Sequence, residues 1–355
     1  MELDAEDIDI GGGRFWILRS NPEVDDYVFG IVDEAAKMNL NSATNDMLLK
    51  VQGMTTELAA AIIDWRSEDT QSSAGGADSG YYLLLDDPYE AKNSPFETVD
   101  ELLLVRGAEP EMLTGRDINR NGVIDPEERD LRNGEGLQLE IGFYDYFTVY
   151  SREPNTAADG EDRVNVNSAN TQEISDLLRD VVSEDRFFPM VERVRRRRPY
   201  QNAIHFYYSV GLEYDEFREI ADRVTVEDRR TLTGRVNVNT APRHILLCLP
   251  ELDESDVDAL IQGRQGSEAR TDGIAWITQV LPEEKAIAIG GVVTTRSYQF
   301  SVDIVTLSEN GRGWQRRLAI IDTRQAPRVL LWKDLTHLGW PLDPGIVEEA
   351  RQAAR

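Results

Sequence analysis

Met38-Asn39-Leu40-Asn41-Ser42-Ala43 comes back twice further along the chain, as Val164-Asn165-Val166-Asn167-Ser168-Ala169 and as Val236-Asn237-Val238-Asn239-Thr240-Ala241. Three occurrences of apolar, Asn, apolar, Asn, Ser or Thr, Ala mark a module used three times. The alternating apolar residues predict a short extended segment. The Ser or Thr that follows predicts a helix N-cap, its oxygen accepting a hydrogen bond from an early backbone N–H. Pro242 falls in the first turn of the third copy, where no donor is missed.

Working outward, the first copy leads into Met47 to Val51, a turn at Gln52-Gly53-Met54-Thr55, and a helix with Leu58, Ile62 and Trp65 on one stripe. This reads as a helical hairpin. Pro95 to Gly107 adds a further capped helix closed by glycine. The third copy repeats the hairpin with Ile245 to Leu249, a turn at Pro250 to Asp253, and a helix through Val257, Leu260 and Ile261. The second copy reads as degenerate, because no glycine turn precedes Phe187-Phe188-Pro189.

The two ends of the chain have a different period. Phe15 to Leu18 and Tyr27 to Val32 read as strands, as do Ser297 to Leu307, Gln315 to Ile321 and Val329 to Trp332, with a turn at Glu309-Asn310-Gly311. Sheet from the ends and helices from the middle give an α+β protein with a helical insertion. The divisions expected are 14–37 for N-terminal strands, 38–150 for the first module, 151–233 for a divergent second, 234–290 for the third, 291–335 for C-terminal strands and 336–355 for a tail.

Asp117-Ile118-Asn119-Arg120-Asn121-Gly122-Val123-Ile124-Asp125-Pro126-Glu127-Glu128 fits a twelve-residue calcium loop. Oxygen donors fall at positions 1, 3 and 5 (Asp117, Asn119, Asn121), and Gly122 allows the sharp turn at 6. The Val123 carbonyl serves at 7, Asp125 acts through water at 9, and Glu128 binds with both oxygens at 12. Ile124 is expected to pair its backbone with a neighbour and plug the core. A single loop is expected to act as a structural clip for Ca2+, pinning the stretch between the first hairpin and Leu137 to Tyr150, since sensors use paired hands. A second acid-rich stretch, Ser67 to Asp78 together with Asp86-Asp87, lacks ligand spacing and reads as a flexible loop.

Composition excludes more than it assigns. The 355 residues carry 65 acidic groups against 38 Lys plus Arg, a formal charge of −27. Residues 38–107 hold four Lys or Arg and twelve Asp or Glu, so hairpins that elsewhere grip phosphate would here repel it, and no nucleic acid is expected as a partner. The exception is the run Arg193, Arg195, Arg196, Arg197 and Arg198, read as a helix C-terminus stopped by Pro199, where cations are favoured. Cys248 sits in an apolar run and reads as an inert buried thiol. His205, His244 and His337 are the only histidines and none lies in a nucleophile or ligand motif, so no catalytic residue and no organic cofactor is expected. No window reaches the roughly 18 apolar residues of a membrane helix, and the acidic start of the chain does not read as a signal peptide.

In order, Asn39 to Ala43, the hairpin, Ile62-Ile63-Asp64-Trp65-Arg66, Tyr81-Tyr82, Pro88 to Phe96, and Val99-Asp100-Glu101-Leu102-Leu103 resemble general secretion pathway protein K, the large minor pseudopilin of type II secretion. The likeness is dense over about 28–130 and thinner beyond. The resemblance implies a pilin-like antiparallel sheet body with an inserted helical domain of helix-hairpin-helix or SAM-like type, carrying calcium. It implies a place at the pseudopilus tip on the periplasmic face of the bacterial inner membrane. Partners would be the I and J minor pseudopilins, with a secreted substrate as a further candidate. Membrane contact would come only through an N-terminal helix that this chain does not contain. The family ordinarily shows two Asn-x-Asn copies where this chain has three. Two other readings stand beside it: a helix-hairpin-helix module for DNA binding or uptake, and a calcium-dependent extracellular adhesion module.

Overall fold

The computed structural model describes residues 5–21, 24, 26–69, 71–131 and 139–355. The chain divides into two compact units, Met1–Ser151 with Ser297–Arg355, and Arg152–Arg296.

The first unit is organised on a six-stranded sheet. Its central strand, Gln299–Ser308, pairs antiparallel with Gly13–Leu18 on one side and Trp314–Asp322 on the other. Arg328–Asp334 closes one edge, Ile8–Asp9 the other, and Val32–Asp33 adds a short pairing to the centre. Directly opposed residues share a face, and the register therefore puts Trp16, Leu18, Ser301, Asp303, Val305, Leu307, Arg316, Leu318 and Ile320 on the same side.

Three coverings divide that side. At one end lies the C-terminal helix Pro344–Ala353. Leu342 and Ala350, with Trp340, Ile346 and Val347, close over Trp16, Leu18, Val305 and Leu307, and Trp340 meets the rings of Trp16 and Trp314 edge to face. At the other end, Ser301, Leu318, Ile320, Leu331 and Lys333 face Glu34, Val99, Tyr144 and Phe147 of the helical module. Between them sits the acidic loop 117–128, described below. The stretch 336–355, read from sequence as a tail, is thus a 3-10 turn and a packed helix. Its apolar stripe is only Ile346, Val347 and Ala350, too narrow to stand out in the sequence.

The threefold motif is the start of the same construction each time. Met38–Asn39 pairs parallel with Phe147–Thr148, Val164–Asn165 with Val224–Thr225, and Val236–Asn237 with Val293–Thr294. Each second strand ends in Thr, whose carbonyl accepts from the residue after the first Asn: Leu40, Val166 and Val238. A module is therefore a helical excursion closed by a two-residue parallel strand pair. The first unit holds one module. The second unit is two in tandem, with an antiparallel pair of Arg152–Pro154 and Thr231–Thr233.

The two asparagines of the motif do different work. The first is a turn former, its Oδ1 accepting from the backbone N–H two residues on, at 2.9 Å in copy one and 3.0 Å in the others. The second reaches a distant backbone. Asn41 donates to the Phe96 carbonyl and accepts from the Phe96 N–H, at 3.0 and 2.7 Å, and Asn167 does the same to Tyr200 at 2.9 and 2.7 Å. Both clasped residues follow a proline. Asn239 keeps only the donor half, to the Ala269 carbonyl at 2.8 Å. The second copy, divergent in its turn, is thus unaltered in its clasp.

Several sequence expectations change here. Ser42 and Thr240 are not N-caps: their hydroxyls turn back to the carbonyl of the first Asn, at 3.4 and 3.5 Å. The caps fall two residues later, at Thr44, Asn170 and Pro242, because the tight turn uses up the motif's own residues. Pro95 to Gly107 holds a 3-10 helix, Val99–Leu104, with a Thr98/Glu101 capping box. Of Tyr27 to Val32 only Val32 lies in a strand, and Phe29 makes a lone bridge to Leu18 while packing on the sheet core. The Ser67 to Asp78 stretch is fastened rather than free: the buried Asp64 accepts from Ser73 N–H at 3.0 Å and Ala77 N–H at 3.1 Å. Gly76 is required there, since a Cβ would lie 1.8 Å from Asp64 Oδ2.

Candidate metal centre

The loop 117–128 follows the helix Pro110–Thr114 and runs into the first turn of the helix Pro126–Leu131. Its alternate oxygens recur because short polar side chains at every second position bend the backbone back on themselves. Asp117 accepts from Asn121 N–H at 2.9 Å and Gly122 N–H at 2.7 Å. Asn119 accepts from Asn121 N–H, and Asn121 from Val123 N–H. Gly122 sits at φ +87°, which only glycine takes without strain. Arg120 is also left-handed, at φ +59°.

Glu128, 6% exposed, closes the ring from the far end. It accepts from Ile118 and Asn119 N–H with one oxygen, at 2.8 and 3.0 Å, and from Asp125 N–H with the other at 3.0 Å. Asp125 receives the side-chain amides of Asn119 at 2.8 Å and Asn121 at 3.3 Å. The five side chains anticipated as ligands, Asp117, Asn119, Asn121, Asp125 and Glu128, are therefore one connected web. Their spacing and oxygen chemistry suit a hard cation, with the Val123 carbonyl at the seventh position. Burial pushes the Asp117 carboxyl up to about 7, the nearby Asp145 and Glu128 charges adding to it against the two N–H donors. Among the described residues no group of three or more His, Cys, Asp and Glu is arranged to hold a metal ion, so the two asparagines would have to complete the set. Ile124 is half-buried and in no strand; the expected backbone pairing needs a second loop to pair with. Leu137, one end of the segment the loop was expected to pin, lies outside the described residues.

Sequence reading missed the residue that seats this loop. Arg316 is fully buried, on the covered face of the sheet, bonded to Asp303 at 2.7 Å and to the carbonyls of Asn119 and Arg120. Asn121 adds a bond to the Pro341 carbonyl at 3.0 Å, and the Arg120 guanidinium lies 3.8 Å from the Tyr144 ring centre. An arginine among the inward-facing positions Trp314, Leu318 and Ile320, with an aspartate diagonal to it on the next strand, was the available signal.

The other residues singled out have structural surroundings. Arg193 and Arg198 are spent within their own module, on the carbonyls of Val210 and Ala169, both at 2.7 Å. Arg195 and Arg196 pair with Glu192 on the same helix. Cys248 is buried, its thiol on the His244 carbonyl. No helix among the described residues is long and apolar enough to cross a membrane.

Residues 31–115 match the family model for the first domain of type II secretion system protein K. No curated protein matches the chain. Among solved structures, the GspK-GspI-GspJ complex from the type 2 secretion system of enterotoxigenic Escherichia coli is similar at 11% identity and a TM-score of 0.38, over 94% of this chain and 83% of that one. The family match covers the first Asn-x-Asn module up to the helix before the acidic loop, and over residues 31–115 this chain is similar to the type II secretion system K proteins.

Proposed function

We propose that the chain is a structural minor pseudopilin of type II secretion, without catalytic activity, that assembles with I- and J-type minor pseudopilins at a pseudopilus tip on the periplasmic face of the inner membrane. The observation that carries this reading is the family match over 31–115. Its physical companion is the absence of free chemistry at the repeated motif. The asparagines and arginines that would suggest a reactive or phosphate-binding site are consumed in holding the modules closed. A sheet whose one side is covered by helices, and a helical module held on it, is a scaffold suited to binding protein. The experiment is co-expression with tagged I- and J-type pseudopilins of a type II system. A stable ternary complex by size exclusion is the expected result, and the absence of any complex with either partner overturns the reading.

We propose also that Asp117, Asn119, Asn121, Asp125 and Glu128 with the Val123 carbonyl hold Ca2+, as a clip that seats the loop on Arg316 and the sheet. The hydrogen-bonded web of these donors supports it. An ion bound at about a hundredfold above its Kd adds roughly 2.7 kcal/mol to stability. Thermal melts at millimolar calcium and in chelator should therefore separate by several degrees, and Glu128→Gln should close most of that gap. Identical melts would remove the clip.

A further inference from the structure

We infer that the exposed apolar surface of the first module, made by Leu83, Leu84, Leu103 and Leu104 with Tyr81 beside them, is a docking site for a basic amphipathic segment of a partner protein. These side chains are exposed by 50%, 87%, 45%, 46% and 38%. They come from two stretches of chain that the fold brings together. Tyr89 donates its hydroxyl to the Leu104 carbonyl at 2.8 Å, and Arg106 N–H donates to the Tyr82 hydroxyl at 3.2 Å. Tyr82 is fully buried and stacks on Tyr89 with ring centres 5.2 Å apart, and both meet Trp65 edge to face. The two stretches that carry the leucines are thus tied together by a packed aromatic cluster. The loop between Tyr82 and Tyr89 closes on itself through Tyr89 N–H to the Tyr82 carbonyl at 3.5 Å.

An apolar patch on the order of several hundred Å² marks an interaction surface, since solvation alone gives no reason to keep leucine there. Charge selects the occupant. Asp86, Asp87 and Glu90 are exposed on the stretch of chain that follows Leu83 and Leu84. The nearby cations are engaged: Arg106 lies over the Tyr81 ring and donates to the Gly76 carbonyl, and Lys92 is paired with Glu101 at 2.7 Å. An apolar surface followed by anionic groups fits a segment presenting apolar side chains on one stripe and Lys or Arg beside it. A lipid surface of anionic headgroups is repelled, and a second copy, at −27, brings the same sign of charge. The surface is independent of the assignment to secretion.

The probe is a labelled peptide of about 18 residues, leucine and lysine in amphipathic helical spacing, with a twin carrying glutamate for lysine, titrated by fluorescence anisotropy against the full chain. The lysine peptide should bind and weaken about tenfold or more as salt is raised to screening strength, while the glutamate twin should not bind. Leu84→Ser with Leu104→Ser should weaken binding about tenfold or more; these positions are exposed, and an unchanged melting curve checks the fold. Asp86→Asn with Asp87→Asn should weaken binding at low salt and match the parent at high salt. Three results overturn the inference: lysine-peptide binding indifferent to the leucine pair, equal binding of the glutamate twin, or self-association that Leu84→Ser abolishes.

Discussion

At the scale of single residues, one arginine recurs in a role the sequence hides. Arg66, Arg198 and Arg264 each end or follow the second helix of their hairpin, and each donates to the carbonyl of the motif alanine, Ala43, Ala169 and Ala241, at 2.6, 2.7 and 2.6 Å. Arg66 also reaches the Leu40 carbonyl, and its burial lowers its pKa to about 10. A charged donor to a buried carbonyl contributes about 1.5–3 kcal/mol, and removing it leaves the acceptor unpaired. Arg66→Met should therefore lower the unfolding free energy, read from urea melts, by an amount in that range. Arg66→Lys should recover only part of it, because an ammonium has no planar fork for two carbonyls. Asp322 gives a second prediction. It is 3% exposed and takes bonds from Arg324 at 2.8 Å and Gln299 at 3.0 Å, and the Arg324 guanidinium holds its carboxyl well below the usual range. A folded pKa below the unfolded one gives stability that is present above the ordinary carboxylate value of about 4 and lost as pH falls below it. In Asp322→Asn the stability curve should be flatter in that acid window, read by denaturant melts from pH 5 downward.

At the scale of elements, what could be read in advance followed from periodicity. The three long strands at 299–308, 314–322 and 328–334 fall within two residues of the alternation in the sequence. The motif showed where each module begins, since three copies cannot be missed. It did not show how each module closes, because the closing strands Phe147–Thr148, Val224–Thr225 and Val293–Thr294 are two residues long, and two residues carry no period. The turns of the acidic loop were legible because the spacing of its short polar side chains is a local pattern. Arg316, which joins it to the sheet 196 positions away, was not, since the partner is distant. The C-terminal helix was missed for a related reason: its value lies in the surface it covers. Asp343 caps it at 2.7 Å through Gly345 N–H, and Arg351 ties it to the Gly311 carbonyl at 2.9 Å. Truncation after Asp343 removes Ile346, Val347 and Ala350 from over Trp16, Leu18 and Val305, a loss of about 2–4 kcal/mol by burial of that size. The truncated chain should bind a dye for exposed apolar surface and unfold at lower urea. An unchanged midpoint would show that the helix is not part of the folded core.

At the scale of the molecule, the two units have separable supports. Within Arg152–Arg296 the first and last strands meet, with Thr294 donating its hydroxyl to the buried Glu153 at 2.9 Å. Within the other unit the chain leaves and returns at neighbouring residues. Thr148 bonds Glu34, and Ser297 bonds the adjacent Asp33, while Asn39 donates to the Ser151 carbonyl at 3.2 Å. A segment whose ends lie together, held by its own parallel strand pairs, has the form of an insertion that can be cut out without pulling on its host. Joining Ser151 to Ser297 through a few Gly and Ser residues should therefore give a folded protein with the full sheet. The residues 152–296 made alone should also melt cooperatively. Calcium tells the pieces apart, because loop 117–128 and its anchor Arg316 belong wholly to the first unit. The excised host should keep the shift in melting temperature between calcium and chelator, and the isolated insertion should show none. A calcium response in 152–296 would place an ion in the tandem modules, and loss of the response in the host would mean the loop needs the insertion to hold its shape.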